Sequence, residues 1–203
     1  MEFLFKTLAE ESEHLIKEKG SKFIGLAIAC YSENEVNEQL KKWKQTHAQA
    51  SHLCYAYRLG VSNQRYRAND DGEPSNTAGT PILGQIQSFE LTNVLIGVIR
   101  YYGGTKLGVG GLIQAYRNAA KGAIEEGNII EKELMSELTI TFTYAQISTI
   151  MTLLKQQKTV IKSQDLNENC EICFQIENSK LEFIKNSLEN IEHTKITNEL
   201  IGK

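Results

Sequence analysis

The 203-residue sequence predicts an α+β protein in two domains, residues 1–133 and 134–203. Three observations carry that reading. Asn93–Tyr102 (Asn-Val-Leu-Ile-Gly-Val-Ile-Arg-Tyr-Tyr) is a near-continuous apolar run, the pattern of a central strand covered on both faces. Segments of helical spacing lie between shorter segments that alternate apolar and polar. The stretch after Glu133 then completes a pattern of its own, strand–helix–strand–strand–helix–strand.

The first domain opens with a short apolar strand at Phe3–Leu8. A second strand, Lys22–Cys30, has Phe23, Ile24, Leu26 and Ile28 as its apolar members. Ser32-Glu33-Asn34-Glu35 matches a capping box, in which the Ser32 hydroxyl and the Glu35 carboxylate satisfy free backbone N–H groups, so a helix runs to about Thr46. Leu53–Leu59 alternates as a strand, and a further strand lies near Arg65–Arg67. Asn69-Asp70-Asp71-Gly72-Glu73-Pro74-Ser75-Asn76 is a dense turn cluster. Ser75, Thr77 and Thr80 are candidate caps for a helix over Thr80–Ser88. A glycine-rich turn leads from Asn93–Tyr102 into a helix over Leu112–Glu125, which ends at Gly127 as a C-cap.

In the second domain Leu138–Tyr144 alternates as a strand. Ala145–Gln157 places Ile147, Ile150, Met151 and Leu154 at helical spacing. Strands follow near Thr159–Leu166 and Cys170–Glu177. Ser179-Lys180-Leu181-Glu182 is a second capping box, opening a helix to about Asn190, and a last strand covers Lys195–Leu200. That order is the ferredoxin-like split βαβ plan. The domain boundary falls within Asn128–Glu137.

A net charge of −3 excludes a protein coated in positive charge. Residues 1–133 hold 15 Lys+Arg against 16 Asp+Glu and residues 134–203 hold 7 against 9, so charge singles out neither half and names no partner. A local basic surface is still open, because phosphate contacts depend on where Lys and Arg lie. No apolar run approaches the ~20 residues needed to cross a bilayer, so no membrane partner is expected. Met1–His14 is too acidic for a secretory signal or a mitochondrial presequence, and a cytoplasmic location is expected. Cys170 and Cys173 have the spacing of half a zinc site, but on a strand they point to opposite faces, and no second pair completes the site. His14 and His193 sit in polar stretches and read as surface residues.

Three segments of the first domain carry the candidate chemistry. Arg100-Tyr101-Tyr102-Gly103-Gly104-Thr105-Lys106-Leu107-Gly108-Val109-Gly110-Gly111 follows a buried strand and opens a helix. Its glycines permit positive φ and close approach to the backbone. Free N–H groups at a helix start favour an anion, and Arg100 and Lys106 add mobile positive charge. It is neither a Walker A loop nor GxGxxG, and the competing reading is a tight strand–helix connection whose glycines serve packing. Asp70, Asp71, Glu73 and Ser75 form an acidic loop without the ligand spacing of an EF-hand, read as a solvated turn rather than a metal site. In the third segment His52 and Cys54 lie two apart on one strand face, whereas a Cys–His nucleophile draws its base from another element. Tyr55, Tyr57 and Arg58 interleave as a stacking platform for bases would, or as buried aromatic packing.

Taken together these blocks resemble the IMPACT/YigZ family, over about residues 19–127. The blocks Asp70–Gly79 and Arg100–Gly111 are the specific part. Asn76 stands where the family's Glu-Pro-Ser-Gly run has glycine, and Tyr102 where phenylalanine is common. The resemblance implies a first domain like that shared by a small-subunit ribosomal protein, elongation factor G domain IV and the GHMP kinases. It implies a C-terminal domain like elongation factor G domain V. In the eukaryotic branch, family members restrain a stress kinase that acts on an initiation factor, through an extra N-terminal domain that is not seen in this sequence.

The expected function is a translation-associated regulator that contacts RNA or the ribosome through the glycine-rich turn, Arg100, Lys106 and the neighbouring tyrosines. A nucleotide-binding enzyme using the same turn, or a protein–protein adaptor, are the alternatives. No catalytic residue, metal or cofactor is assigned, because no complete catalytic constellation is visible.

Overall fold

The computed structural model describes residues 4–61, 64–167 and 169–200, so Phe3 of the expected opening strand lies outside the described residues. The architecture is mixed α/β. The chain divides into two compact units, Phe5–Lys132 and a second that joins the residues up to Leu4 to those from Glu133 onward.

The N-terminal elements, in chain order, are β1 (Leu4–Leu8), β2 (Ser12–Glu18), β3 (Ser21–Ala29), α1 (Glu33–Thr46), β4 (His52–Leu59) and β5 (Arg65–Asn69). They continue with α2 (Gly79–Ser88), β6 (Val94–Tyr101), α3 (Gly108–Glu126) and β7 (Ile129–Glu133). Five strands form one sheet in the order β2-β3-β6-β4-β5, with every neighbouring pair antiparallel. The apolar run Val94–Ile99 is buried along its whole length because β6 is the central strand.

Side chains alternate across the sheet, and each face is covered. Leu26, Tyr57, Leu95 and Ile99 pack with Val36 and Trp43 of α1. Phe23, Ala27, Cys54, Ala56, Ile96 and Val98 pack with α2 and α3 on the other side. The α1 capping box forms: the Glu35 N–H donates to Ser32 Oγ at 3.2 Å, and the Glu35 carboxylate accepts from the Tyr31 N–H at 3.0 Å.

Two strands are absent from the sequence reading. β2 pairs with β3 through a two-residue turn, Lys19–Gly20, in which both residues have positive φ (44° and 81°), as a type I′ hairpin requires. β7 pairs with β1 in a separate two-stranded sheet and occupies the stretch expected to be a linker. α3 begins at Gly108, four residues before Leu112, so Gly108, Gly110 and Gly111 form its first turn rather than a loop. His14 is not a free surface residue: its Nδ1 lies 2.7 Å from Glu126 Oε1 of α3.

The second unit comprises β8 (Met135–Thr143), α4 (Ile147–Gln156), β9 (Val160–Asp165), β10 (Asn169–Glu177), α5 (Leu181–Glu189) and β11 (Lys195–Leu200). Its sheet has the order β11-β8-β10-β9, with antiparallel pairs throughout. Leu138, Ile140, Phe142, Ile172, Phe174 and Ile176 form the buried face under α4 and α5. Cys170 is buried and Cys173 half-buried, and both thiols are free.

The expected capping box at Ser179 does not form. Asn178–Lys180 is a short 3-10 turn, and no side chain caps α5. The buried Asn178 sets this turn, donating its N–H to the Leu134 carbonyl at 2.8 Å and accepting from Ser136 Oγ at 2.5 Å.

Candidate functional site

The antiparallel register places His52 of β4 beside Arg100 of β6, so both lie at one end of the sheet, where β6 runs into the glycine-rich turn. The acidic loop arrives at the same end. Glu73 reaches Arg100, with Nη1 donating to Oε1 at 2.6 Å, and the same oxygen accepts from the Tyr116 hydroxyl of α3 at 2.8 Å. Both charged side chains are almost wholly buried, at 7% and 4% exposure. His52 Nδ1 donates to the Asp71 carbonyl at 2.7 Å, which leaves Nε2 facing Glu73 Oε1 at 3.9 Å.

This geometry corrects the role assigned to Arg100. It is not a mobile cation but one half of a buried ion pair, with its guanidinium 5.3 Å from the ring centroids of both Phe23 and Tyr102. Tyr101 is also removed from the turn: it points into the α1 layer, where its hydroxyl lies 2.9 Å from His47 Nδ1. A cleft of about 320 Å³ opens beside it, lined by Trp43, His47, Ser51, His52 and Asp71.

The acidic loop is folded by its own carboxylates. Asp70 Oδ1 accepts from the Ala78 and Gly79 N–H groups at 3.0 and 2.8 Å, and Oδ2 from the Asn76 N–H at 2.9 Å. Asp70 therefore caps α2 from a distance, in place of Ser75, which stays exposed. Asp71 Oδ2 accepts from the Leu53 N–H at 2.7 Å, tying the loop to β4. Asn76 takes a φ of 63°, the left-handed conformation glycine favours and asparagine tolerates best among other residues. That explains how it replaces a glycine without unfolding the loop.

Tyr57 and Arg58 do not join the site, and Cys54 touches it only from inside the core, donating its thiol to the Asp70 carbonyl at 3.0 Å. Burial pushes the pKa of the Cys54 thiol up to about 12, so it stays protonated at neutral pH and is no nucleophile. Tyr57 is buried, and Tyr55 is half-buried against the α1 layer, so neither offers a free ring face. Arg58 sits roughly 20 Å along β4 from His52, six residues at strand rise. It donates to the Leu91 carbonyl and to Gln64.

The exposed part of the turn runs from Tyr102 through Gly110, with Leu107 alone half-buried. Gly104 and Gly108 have positive φ (87° and 74°), and a side chain added at Gly104, Gly108 or Gly110 would meet nothing within 4 Å. Space beside the backbone is open there, so these glycines are not explained by internal packing. Among the described residues no side chain caps the N-terminus of α3, and Lys106 is exposed beside it.

Gly103 and Gly111 differ. A Cβ at Gly111 would press on the Leu107 side chain, and one at Gly103 would lie 2.0 Å from the Gly20 carbonyl carbon and 2.3 Å from the Ser21 nitrogen. The Gly103 N–H donates to Ser21 Oγ at 3.1 Å. The β2–β3 hairpin is thus seated against the turn, with Lys19 in the hairpin turn itself and Lys17 and Lys22 in register with Tyr101, all three exposed. Sequence reasoning missed these lysines because it missed the hairpin.

Gly103→Ala is expected to destabilise the first unit by about 1–3 kcal/mol, since the new methyl meets backbone that cannot rotate away. Urea unfolding measures it, and an unchanged midpoint would show that the hairpin and turn can separate freely.

Comparison with known proteins places this surface in context. Residues 19–124 match the Impact N-terminal domain. The chain is 35% identical to the IMPACT family member YvyE of Bacillus subtilis over 165 residues, 81% of this chain and 76% of that one. It is 32% identical to the IMPACT family member YigZ of Escherichia coli over 140 residues, 68% of this chain and 69% of that one. A crystal structure described as a hypothetical protein superposes with a TM-score of 0.76 at 24% identity, covering 97% of both chains, and so shares the fold.

Proposed function

The chain belongs to the IMPACT family, and on that premise we propose that it is a translation-associated regulator that binds RNA through the turn between β6 and α3. The observation that carries the reading is the open, glycine-lined backbone of Gly104–Gly110 at an uncapped helix start. Free N–H groups and the helix dipole there favour an anion. Exposed Lys106 lies in the turn, exposed Lys19 in the hairpin seated against it, and exposed Lys17 and Lys22 in register with Tyr101, and no ion pair among the described residues involves them.

Asp70 favours the nucleotide-enzyme alternative less, because one of its oxygens caps α2 and the other holds the Asn76 N–H, which gives this carboxylate a structural task. The fold supports the reading in a further respect. The β8–α4–β9–β10–α5–β11 order with its 4-1-3-2 sheet matches the ferredoxin-like plan expected for the C-terminal domain. Likeness of the first domain to ribosomal protein and elongation factor G folds belongs to the same proposal. No helix among the described residues is long and apolar enough to cross a membrane; a cytoplasmic setting belongs to the same proposal as the translation-associated role.

The test is RNA binding by fluorescence anisotropy between about 50 and 200 mM salt. Replacing Lys106, Lys19 and Lys22 with alanine is expected to weaken binding and to flatten the salt dependence, by roughly one unit of slope for each phosphate that a lysine no longer neutralises. An unchanged curve removes the turn as the RNA site. Absence of binding to any RNA or ribosome fraction favours a protein–protein adaptor.

A further inference from the structure

The reading above names phosphates as what the turn accepts, and resting on it we propose a second contact: an unpaired base stacks on the outer face of Tyr102. The ligand is then single-stranded rather than duplex RNA.

Tyr102 is the first residue of the turn, and the residue is 49% exposed. The inner face lies over the Arg100 guanidinium at 5.3 Å. That guanidinium cannot swing out to meet a ligand. Glu73 holds Nη1, Phe23 lies at the same 5.3 Å distance, and Nε is buried with no hydrogen-bond partner among the described residues. Arg100 is therefore a fixed cationic plate behind an aromatic ring, itself fixed through Glu73 to Tyr116.

The backbone beneath the ring is pinned as well. The Tyr102 N–H donates to Ser51 Oγ at 3.2 Å, and the next N–H, of Gly103, donates to Ser21 Oγ. A large aromatic surface is thus held in water, pre-ordered, directly before the open backbone of Gly104–Gly110. Ordering such a ring in advance removes the entropy cost that stacking otherwise carries. An unpaired base offers a π-face to such a ring, while the bases of a duplex are already stacked on one another. The stacking platform expected at Tyr55 and Tyr57 is buried or turned inward, so Tyr102 is the exposed ring that adjoins the phosphate-accepting backbone.

The probes are a labelled single-stranded oligoribonucleotide, the same strand with abasic sites, and a duplex of equal length. Tyr102→Ala is expected to lower affinity for the intact single strand by about 5- to 150-fold. Its affinity for the abasic strand and the duplex should not change. Tyr102→Phe should bind as the parent does, and Tyr102→Trp should bind with fluorescence quenched by the intact strand alone.

If the parent protein binds abasic and intact strands equally but still loses affinity on Lys106→Ala, phosphate binding stands and stacking is wrong. Equal losses for all three probes in Tyr102→Ala also overturn stacking. Failure of the parent protein to bind any probe removes both readings.

Discussion

Glu73→Ala is expected to cost about 3–5 kcal/mol of stability in the first unit, the range for removing one partner of a buried ion pair. The loss comes from what is left behind. Arg100 would remain charged and buried, with its shortest hydrogen bond gone and its Nε already without a partner among the described residues. Tyr116 would lose the acceptor of its buried hydroxyl at the same time. Glu73→Gln keeps one acceptor for either group and should lose less.

Urea unfolding of Glu73→Ala, Arg100→Met and the double variant separates the pair energy from the stranded charge. The double variant should be more stable than Glu73→Ala alone, because it leaves no buried charge. Additive losses would show that the pair is not coupled and that water reaches it. RNA binding by the same proteins links stability to function, since Arg100 is the plate behind Tyr102.

The sequence revealed the framework wherever the signal was local. Val94–Ile99 announces a central strand by its own composition, and Ser32–Glu35 announces a helix start within four residues. Features built from distant residues stayed hidden. Asp70 reads as a turn former, yet its carboxylate gathers N–H groups six to nine residues away. Arg100 looks like a free cation because its counter-charge, Glu73, lies 27 residues earlier and is brought over by the β4–β6 register. The β2–β3 hairpin escaped because its turn is Lys-Gly rather than Asn-Gly, the dipeptide that usually marks positive φ at both positions. With the hairpin went Lys17, Lys19 and Lys22. The glycines and Lys106 were legible as a candidate anion site because all lie in one segment, whereas Tyr102 was separable from Tyr101 only once β6 fixed which face each ring takes.

Phe174→Ala is expected to destabilise the second unit by about 3–5 kcal/mol, as deletion of a buried phenylalanine does. Phe174 is fully buried on β10, opposite Leu138 of β8 on one side and Ile161 of β9 on the other. Its core draws on β8, β10, α4 and α5, while the first unit buries its own residues on both faces of its sheet. Two domains divided near Glu133 should therefore unfold in two transitions, and only one should move. Trp43 is buried in the first unit, so its fluorescence follows that unit during urea unfolding. Far-ultraviolet circular dichroism follows both. The fluorescence midpoint should stay in place while part of the circular dichroism signal shifts to lower urea. A fluorescence midpoint that falls in step with the circular dichroism would mean that the chain unfolds as one cooperative body, and the division into two domains would be wrong.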